Sequence, residues 1–380
     1  MDLTFVFPCL NEEKTLEGCI RAVKRSLDAA GAELSYEIVV ADNGSTDRSA
    51  EIATAEGARV VPVPRRGYGA ALRGGIEAAQ GRYVMFADAD STYLYEHCLP
   101  LYEKAIETDA DMAIASRIKG TIEPGAMPPL HRWLGTPVLT WLINVLFQGR
   151  LSDCNSGFRC IKKSAYATWG IRSDGMEFAS ELLIKALKHG ASSVEIPSGL
   201  RPGPPERVAH LRTWRDGMRH LLFILSERPR LFEFVGLILL GVSAALQIAA
   251  VFFEGPVLVL GLGIFGLHTK ALLLLAGITG MQLYVFSLML YLRKREEPTP
   301  LTAWLIGIGE GELFFLLLAI LVAEGLLVGG VVLDWVLSGF ANMDLTNVLI
   351  PGIHLVGLPL MLAIGLLGLN VFKKSGDGAE

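Results

Sequence analysis

No Gly-x-x-x-x-Gly-Lys-Ser/Thr run occurs in this chain, so a P-loop nucleotide site is excluded. The nearest glycine cluster, Gly67-Tyr68-Gly69-Ala70-Ala71-Leu72, lacks the third glycine of a dinucleotide fingerprint and precedes a helix in mid-domain. Cysteine is sparse: Cys9, Cys19, Cys98, Cys154 and Cys160 show no metal-ligand spacing. Their odd number and scatter fit reduced thiols in a cytosolic domain. Basic charge is not in excess either. The net charge of −5 and pI near 5.9 give no reason to expect a nucleic-acid partner. The first residues carry no basic leader ahead of Leu3–Phe7, and that apolar run is too short for a secretory core. Insertion into a membrane is therefore expected from the C-terminal part.

What the chain has in quantity is apolar sequence, 51% of its 380 residues, with a mean hydropathy of +0.42. The average hides two unlike parts. Residues 1 to about 230 mix charges, glycines and short apolar runs, whereas from Phe232 onward charges retreat into short gaps. Four stretches reach the roughly 20 residues that a bilayer-spanning helix needs: about 233–253, 269–292, 313–333 and 348–372. Arg228 and Arg230 precede the first, Arg293-Lys294-Arg295 follow the second and Lys373-Lys374 follow the fourth. The other gaps hold Glu254, Asp334 and Asp344 and almost no bases. The positive-inside rule then places the three basic ends, and the N-terminal domain, in the cytoplasm. The spans read as an anchor and a surface for homo-oligomerisation. Glu324, in the middle of the third, is expected to be protonated or to pair with Gln247, Gln282 or His354, because an unpaired charge there costs on the order of 2.5–3.5 kcal/mol.

In the first part, short apolar runs alternate with helical spacing. Leu3–Phe7 reads as a buried strand stopped by Pro8, and Leu16, Ile20, Val23 and Leu27 recur as one helix face. Glu37–Ala41, Arg59–Val63 and Tyr83–Ala87 read as further strands, with helices over Asp47–Glu56 and from Gly69 through Ala79. Such alternation predicts a mostly parallel sheet covered on both faces, with ligands beyond the carboxyl ends of its strands. Pro8–Glu12, Asp42–Asp47 and Asp88–Asp90 all fall at those ends. If the chain stays extended through Asp90, the carboxylates of Asp88 and Asp90 face one spot. Two hard oxygen ligands suit Mg²⁺ or Mn²⁺ with positions left over for substrate phosphates.

Phe7-Pro8-Cys9-Leu10-Asn11-Glu12-Glu13, Val40-Ala41-Asp42-Asn43-Gly44-Ser45-Thr46-Asp47 and Asp88-Ala89-Asp90, in this order and spacing, resemble glycosyltransferase family 2, which has a GT-A nucleotide-sugar fold. Ala115-Ser116-Arg117 and Ser152–Arg159 look like the branch containing dolichyl-phosphate mannose synthase and polyprenyl-phosphate glucosyltransferases. The resemblance spans about residues 3–225 and implies a Rossmann-like α/β domain, followed here by four transmembrane helices. It implies that Pro8, Leu10, Asn11, Glu12 and Asp42 contact the nucleotide, and that Asp88 and Asp90 hold the metal on the diphosphate. It implies Arg117, Arg132 and Arg201 as phosphate ligands, including for the acceptor, with Arg117, Asp90 and Asp153 at the chemistry. Asn43 stands where a second Asp is common, and Thr92 where a Gln that helps the metal is frequent. Arg201 lies in an atypical Arg-Pro-Gly-Pro-Pro-Glu-Arg context, so Arg207 or Arg212 could take its role.

A hydroxyl acceptor normally needs a general base, and the polysaccharide synthases resembling this family carry a Thr-Glu-Asp-type acid and a Gln-x-x-Arg-Trp motif. Here Arg132-Trp133 has Pro129 in the place of Gln, and the middle region has no Glu-Asp pair. A lipid monophosphate, with a second pKa of about 6, is already largely dianionic at pH 7 and needs cations more than a base. Asp153 stays open as a base, an orienting group or a turn cap. Residues 130–148, with Trp133 and Trp141, and residues 212–231, with their arginines beside apolar side chains, read as interfacial amphipathic segments.

The sequence therefore reads as a GT-A domain over residues 1–211, a juxtamembrane segment over 212–231 and four spans within 232–373. The expected activity moves a hexose from a GDP-mannose or UDP-glucose type donor to dolichyl or undecaprenyl phosphate on the cytoplasmic face. A glycolipid or polysaccharide acceptor, or a non-catalytic domain regulating a lipid translocator, are the rival readings.

Overall fold

The computed structural model describes residues 1–204, 213–252, 257–259, 262–264, 266–294, 297–340 and 350–376. Two compact units divide the chain, Met1–Leu225 and Ser226–Glu380. The candidate arginines Arg207 and Arg212 lie outside the described residues.

The first unit is built on a seven-stranded sheet: β1 Leu3–Cys9, β2 Tyr36–Asp42, β3 Arg59–Pro62, β4 Tyr83–Phe86, β5 Met112–Ser116, β6 Arg159–Lys162 and β7 Ser193–Pro197. Their spatial order is β3-β2-β1-β4-β6-β5-β7. All neighbours are parallel except β6, which runs antiparallel to both β4 and β5. The mostly parallel α/β expectation holds, and the one reversed strand has a purpose. Its first residue pairs with the last of β4, Arg159 with Phe86, so the chain entering β6 runs across the carboxyl end of β4.

Strand side chains alternate between faces, and both faces are covered. Leu3, Phe5 and Phe7 point into one core with Leu16, Ile20, Val23 and Leu27 of the helix Leu16–Leu27. Val6, Val39 and Val84 point into the other with Leu72 and Ile76 of the helix Tyr68–Ala78 and Leu182 of the helix Phe178–Lys188. Gly75 permits the close approach of the second helix, since a Cβ there would lie 2.4 Å from Val6 Cγ1.

Two strand ends differ from the sequence reading. Pro8 does not stop β1, which continues to Cys9 with Pro8 opposite Ala41 of β2. The ladder between β1 and β4 has already ended at Val6 and Phe86, so the donor that proline lacks is missed by no partner. Conversely, β4 closes at Phe86, and the chain bends through Ala89–Ser91, with Ser91 at φ +63°. Asp88 and Asp90 therefore do not lie on one extended strand.

Among its described residues, the second unit contains four helices long and apolar enough to cross a membrane: Pro229–Ala250, Leu267–Arg293, Glu310–Leu337 and Ile350–Asn370. The first two pack backbone to backbone. A Cβ on Gly280 would lie 2.8 Å from Leu239 Cβ and 2.9 Å from Gly236 O, and one on Gly236 would lie 2.8 Å from Gly280 O. Small residues at such crossings supply the close packing that lipid itself cannot drive. Glu233, buried in the first of these helices, accepts hydrogen bonds from the hydroxyls of Tyr291, Thr299 and Thr302.

Glu324 sits on the less exposed stripe of the third helix with Leu313, Leu317, Ile320 and Leu327. It pairs with none of Gln247, Gln282 and His354. His354 instead meets the Ser243 hydroxyl at 3.3 Å within a π-helical turn, Ile353–Gly357, and Gln282 is exposed.

Gly280→Ala is expected to lower the thermal unfolding midpoint of the detergent-solubilised chain by several degrees, because the obstructing atoms include backbone. Gly241→Ala, where nothing lies within 4 Å of the added methyl, is expected to leave it unchanged or raise it.

Candidate active site

Three loops leave the carboxyl ends of β1, β2 and β4. The register that pairs Cys9 with Asp42 brings the first two side by side, and hydrogen bonds stitch them together. Asn11 N–H donates to Ser45 Oγ at 3.0 Å, Thr46 N–H to Asn11 Oδ1 at 2.8 Å, and Glu12 N–H to Ser49 Oγ at 2.9 Å. Asn11 adopts a left-handed backbone, φ +59°, which Asn tolerates better than most residues. Leu10 stands exposed, with Pro8 and Glu12 half-buried. Asp42 accepts from Ser45 N–H at 3.0 Å, which makes it the head of a turn and not a helix cap; the helix itself begins at Ser49.

The partners of Asn43 require an amide. Its amide donates to Val63 O at 3.1 Å and Arg65 O at 2.7 Å, and its carbonyl accepts from Gly67 N–H at 2.8 Å. A carboxylate could accept but could not make the two donations. The residue fastens the β2 loop to the turn before Tyr68.

The two acids of Asp88-Ala89-Asp90 are oriented separately. Tyr68 Oη donates to Asp88 Oδ1 at 2.8 Å, and Tyr95 Oη donates to the Asp88 carbonyl. Asp90, 4% exposed, accepts from both the N–H and the hydroxyl of Thr92, at 3.0 and 2.6 Å. Thr92 thus orients one carboxylate oxygen. Gly157 closes the wall behind Asp88: a Cβ there would lie 3.3 Å from Asp88 Oδ2, 3.3 Å from Tyr68 Oη and 3.0 Å from Tyr93 Oη. Gly157 N–H donates to Tyr93 Oη at 2.7 Å. Burial first, and the Asp88 charge second, push the Tyr68 phenol well above its ordinary range, so it stays a donor.

Arg117 and Asp153 form a fork. Arg117 Nε and Nη2 donate to the two Asp153 oxygens at 2.7 and 2.8 Å, and the backbone N–H groups of Arg117 and Asn155 add bonds at 3.1 Å each. Asp153 is completely buried and Arg117 is 12% exposed. Burial pushes the Asp153 carboxyl up, but the Arg117 charge and these hydrogen bonds outweigh it and hold it below the usual carboxylate range. With both oxygens committed and its pKa lowered, Asp153 does not fit the general base that the sequence left open; it orients Arg117.

The remaining arginines are placed differently. Arg132 lies over the Trp133 ring, 5.0 Å from its centroid, and forms no ion pair among the described residues. His131 beside it is held below the usual imidazole range, by burial first and then by the Arg117 charge. Arg201 N–H donates to Thr92 O at 2.9 Å, so its backbone joins the Asp90 turn, while its guanidinium pairs with Glu96 at 2.8 Å.

Tyr68, Tyr93, Gly157 and Arg159 were not singled out by sequence reasoning as site residues. Gly67-Tyr68-Gly69, which fails as a dinucleotide fingerprint, is the segment that carries the Tyr68 phenol to Asp88. Arg159 is buried, although nothing in its local sequence marks it as such.

The helix Thr136–Phe147 packs Leu139, Ile143 and Phe147 into the core, while Trp133, Leu134, Val138, Trp141 and Val145 form an exposed apolar face. In the helix Thr213–Ser226, Leu221, Phe223 and Ile224 pack into the core of the first unit, and Arg215, Met218, Arg219 and Leu222 face outward.

The fold with its acidic sheet edge is of the glycosyltransferase class. The chain belongs to glycosyltransferase family 2: the model of the family, "Glycosyl transferase family 2", matches residues 4–170. It is similar to the low-salt glycan biosynthesis hexosyltransferase Agl6 of Haloferax volcanii, 36% identical over 374 residues that cover 96% of this chain and 88% of that protein. A dolichyl-phosphate hexose transferase of the same organism is 29% identical over 198 residues, 52% of this chain and 81% of that one. Among solved structures, glucosyl-3-phosphoglycerate synthase from Mycobacterium tuberculosis in complex with Mn²⁺ and uridine-diphosphate-glucose aligns with a TM-score of 0.47 and 24% identity, over 60% of this chain and 78% of that one.

Asp153→Asn leaves Arg117 buried without its counter-charge and is expected to destabilise the chain by about 3–5 kcal/mol at pH 7. Because the folded-state pKa of Asp153 is lowered, its contribution is present above the unfolded value of 3.8 and fades as pH falls through the lower folded value. Denaturation of the two proteins at pH 7 and below pH 4 should show the difference shrinking in acid.

Proposed function

We propose that this glycosyltransferase moves a hexose from a nucleotide diphospho-sugar to a polyprenyl phosphate, with its catalytic unit on the cytoplasmic side of the membrane. The observation that carries the reading is the pairing of a sheet-end acidic site with Arg117, whose neighbouring carboxylate, Asp153, is committed to holding it. The similarity to a named hexosyltransferase along almost the whole chain, and to a named dolichyl-phosphate hexose transferase over about half of it, supports the same class.

The donor side consists of Pro8, Leu10, Asn11, Glu12 and Asp42 around the nucleoside, with Asp88 and Asp90 at the diphosphate. A divalent cation fits this pair. Both ligands are hard oxygens, Gly157 leaves the space a Cβ would fill beside Asp88, and no third His, Cys, Asp or Glu joins them among the described residues. That donor set suits Mg²⁺ or Mn²⁺ completed by phosphate and water. When bound, the ion neutralises the charge that develops on the departing nucleotide.

On the acceptor side, Arg117 presents a guanidinium held by Asp153, and its Nη1 makes no hydrogen bond with the described residues. Arg132 lies in the π-helical turn His131–Gly135 over the Trp133 ring, and Arg201 attaches to the Asp90 turn through its backbone. These cations orient a phosphate that is already ionised, so its oxygen attacks the anomeric carbon directly and inverts the configuration. The exposed face of Trp133, Leu134, Val138, Trp141 and Val145 rests at headgroup depth, where tryptophans are favoured. Arg228, Arg230, Arg293 and Lys294 at the helix ends support the cytoplasmic orientation. The apolar surfaces of the spanning helices are where self-association would form.

The test offers the purified full chain a panel of labelled nucleotide sugars with polyprenyl phosphate, with and without chelator. Label is expected in the lipid phase from one donor, and chelator is expected to abolish it. Asp90→Asn is expected to reduce transfer by about 100-fold or more, beyond the 10–100-fold typical of losing an outer-shell partner. Lipid-linked product undiminished in Asp90→Asn, or none from any donor, would rule out this reading.

A further inference from the structure

Arg159 is the largest fully buried side chain among the described residues, 1% exposed at the start of β6. Its three guanidinium nitrogens all find carbonyl oxygens: Nε donates to Ser156 O at 2.8 Å, Nη2 to Cys154 O at 2.8 Å and Nη1 to Ala179 O at 3.0 Å. Among the described residues it forms no ion pair. A buried charge without a counter-ion normally carries a penalty of several kcal/mol, and an apolar side chain would pack the space without it. The geometry shows what the charge does instead. Two of its carbonyl partners belong to the loop Asp153–Phe158, and the third belongs to the helix Phe178–Lys188. Arg159 therefore clamps that loop to a helix on one face of the sheet.

The clamped loop bears directly on the Asp-x-Asp turn. Gly157 donates its N–H to Tyr93 Oη at 2.7 Å and lies against Asp88 Oδ2 and Tyr68 Oη. Tyr68 in turn donates to Asp88 Oδ1 at 2.8 Å. Ser156 Oγ, in the same loop, donates to Ala115 O at 2.7 Å and fixes the loop from the β5 side. One oxygen of Asp88 is thus held by a phenol and the other faces the backbone of a loop whose height is set by Arg159. A lysine could keep the charge but could not span three carbonyls in fixed directions.

We infer that Arg159 is a positioning residue which, through Cys154–Gly157 and the Tyr68–Asp88 hydrogen bond, holds the Asp88 carboxylate in the orientation that a divalent cation requires. This rests on the metal reading given above and deepens it, since it adds a remote determinant of metal affinity that touches neither metal nor substrate. Outer-shell groups that orient metal ligands typically change affinity by 10–100-fold.

The test titrates the full chain in detergent with Mn²⁺ alone, by calorimetry, and measures the unfolding midpoint of each protein in parallel. Arg159→Lys and Arg159→Met are each expected to weaken Mn²⁺ binding by about 10-fold, while binding of metal-free nucleotide diphosphate is unchanged. A purely structural role would lower both affinities together or neither. Folded Arg159 variants with wild-type Mn²⁺ affinity would overturn the inference. Should both variants fail to fold, Ser156→Ala decides the matter, because it frees the same loop from Ala115 of β5 without adding any atom beside Asp88. A loss of about 10-fold supports the relay, and unchanged affinity overturns it. A wild-type chain that binds no Mn²⁺ would overturn the metal reading itself, and the inference with it.

Discussion

The parallel register of β1 between β2 and β4 is the constraint on which the site depends. It pairs Cys9 with Asp42 and Val6 with Phe86, and so brings three acidic loops to one edge of the sheet. A slip of one residue would turn Phe5 and Phe7 out of one core and Val6 out of the other. The same slip would part Asn11 from Thr46 and Glu12 from Ser49. Packing and chemistry are therefore locked to a single register, and the buried strands leave no second arrangement that satisfies both.

Around that edge the protein spends buried charge unevenly. Arg117 is compensated by a fork to Asp153, whereas Arg159, a few residues along the same loop, has only carbonyl oxygens. The two arginines grip the segment Asp153–Phe158, one through a carboxylate side chain and one through the backbone. Tyr93 accepts the Gly157 N–H, so it ties that loop to the chain just past Asp90.

Much of this was legible in the sequence because it is carried by local pattern. Leu16, Ile20, Val23 and Leu27 announce a helix face, and the apolar runs announce strands and spans. The order of Pro8–Glu12, Asp42–Asp47 and Asp88–Asp90 marks one sheet edge. What was not legible depends on partners distant in the chain. The reversal of β6 leaves no trace in Arg159–Lys162, yet it decides that Gly157 meets Asp88. The commitment of Asp153 to Arg117 joins residues 36 apart, and only that contact separates an orienting acid from a base. Pro8 misled for the same reason: a proline ends a strand only where a neighbour would have needed its N–H, and β4 had already stopped.

The tryptophan-bearing helix near the middle of the first unit has a practical side. Its core-facing residues, Leu139, Ile143 and Phe147, keep it part of the globular fold, so it cannot be trimmed away with the spanning helices. A chain cut after residue 225 would still carry Trp133, Leu134, Val138, Trp141 and Val145 as one exposed apolar patch. Removing the spans would thus not yield a freely soluble enzyme: the catalytic unit would still seek micelles, vesicles or its own copies.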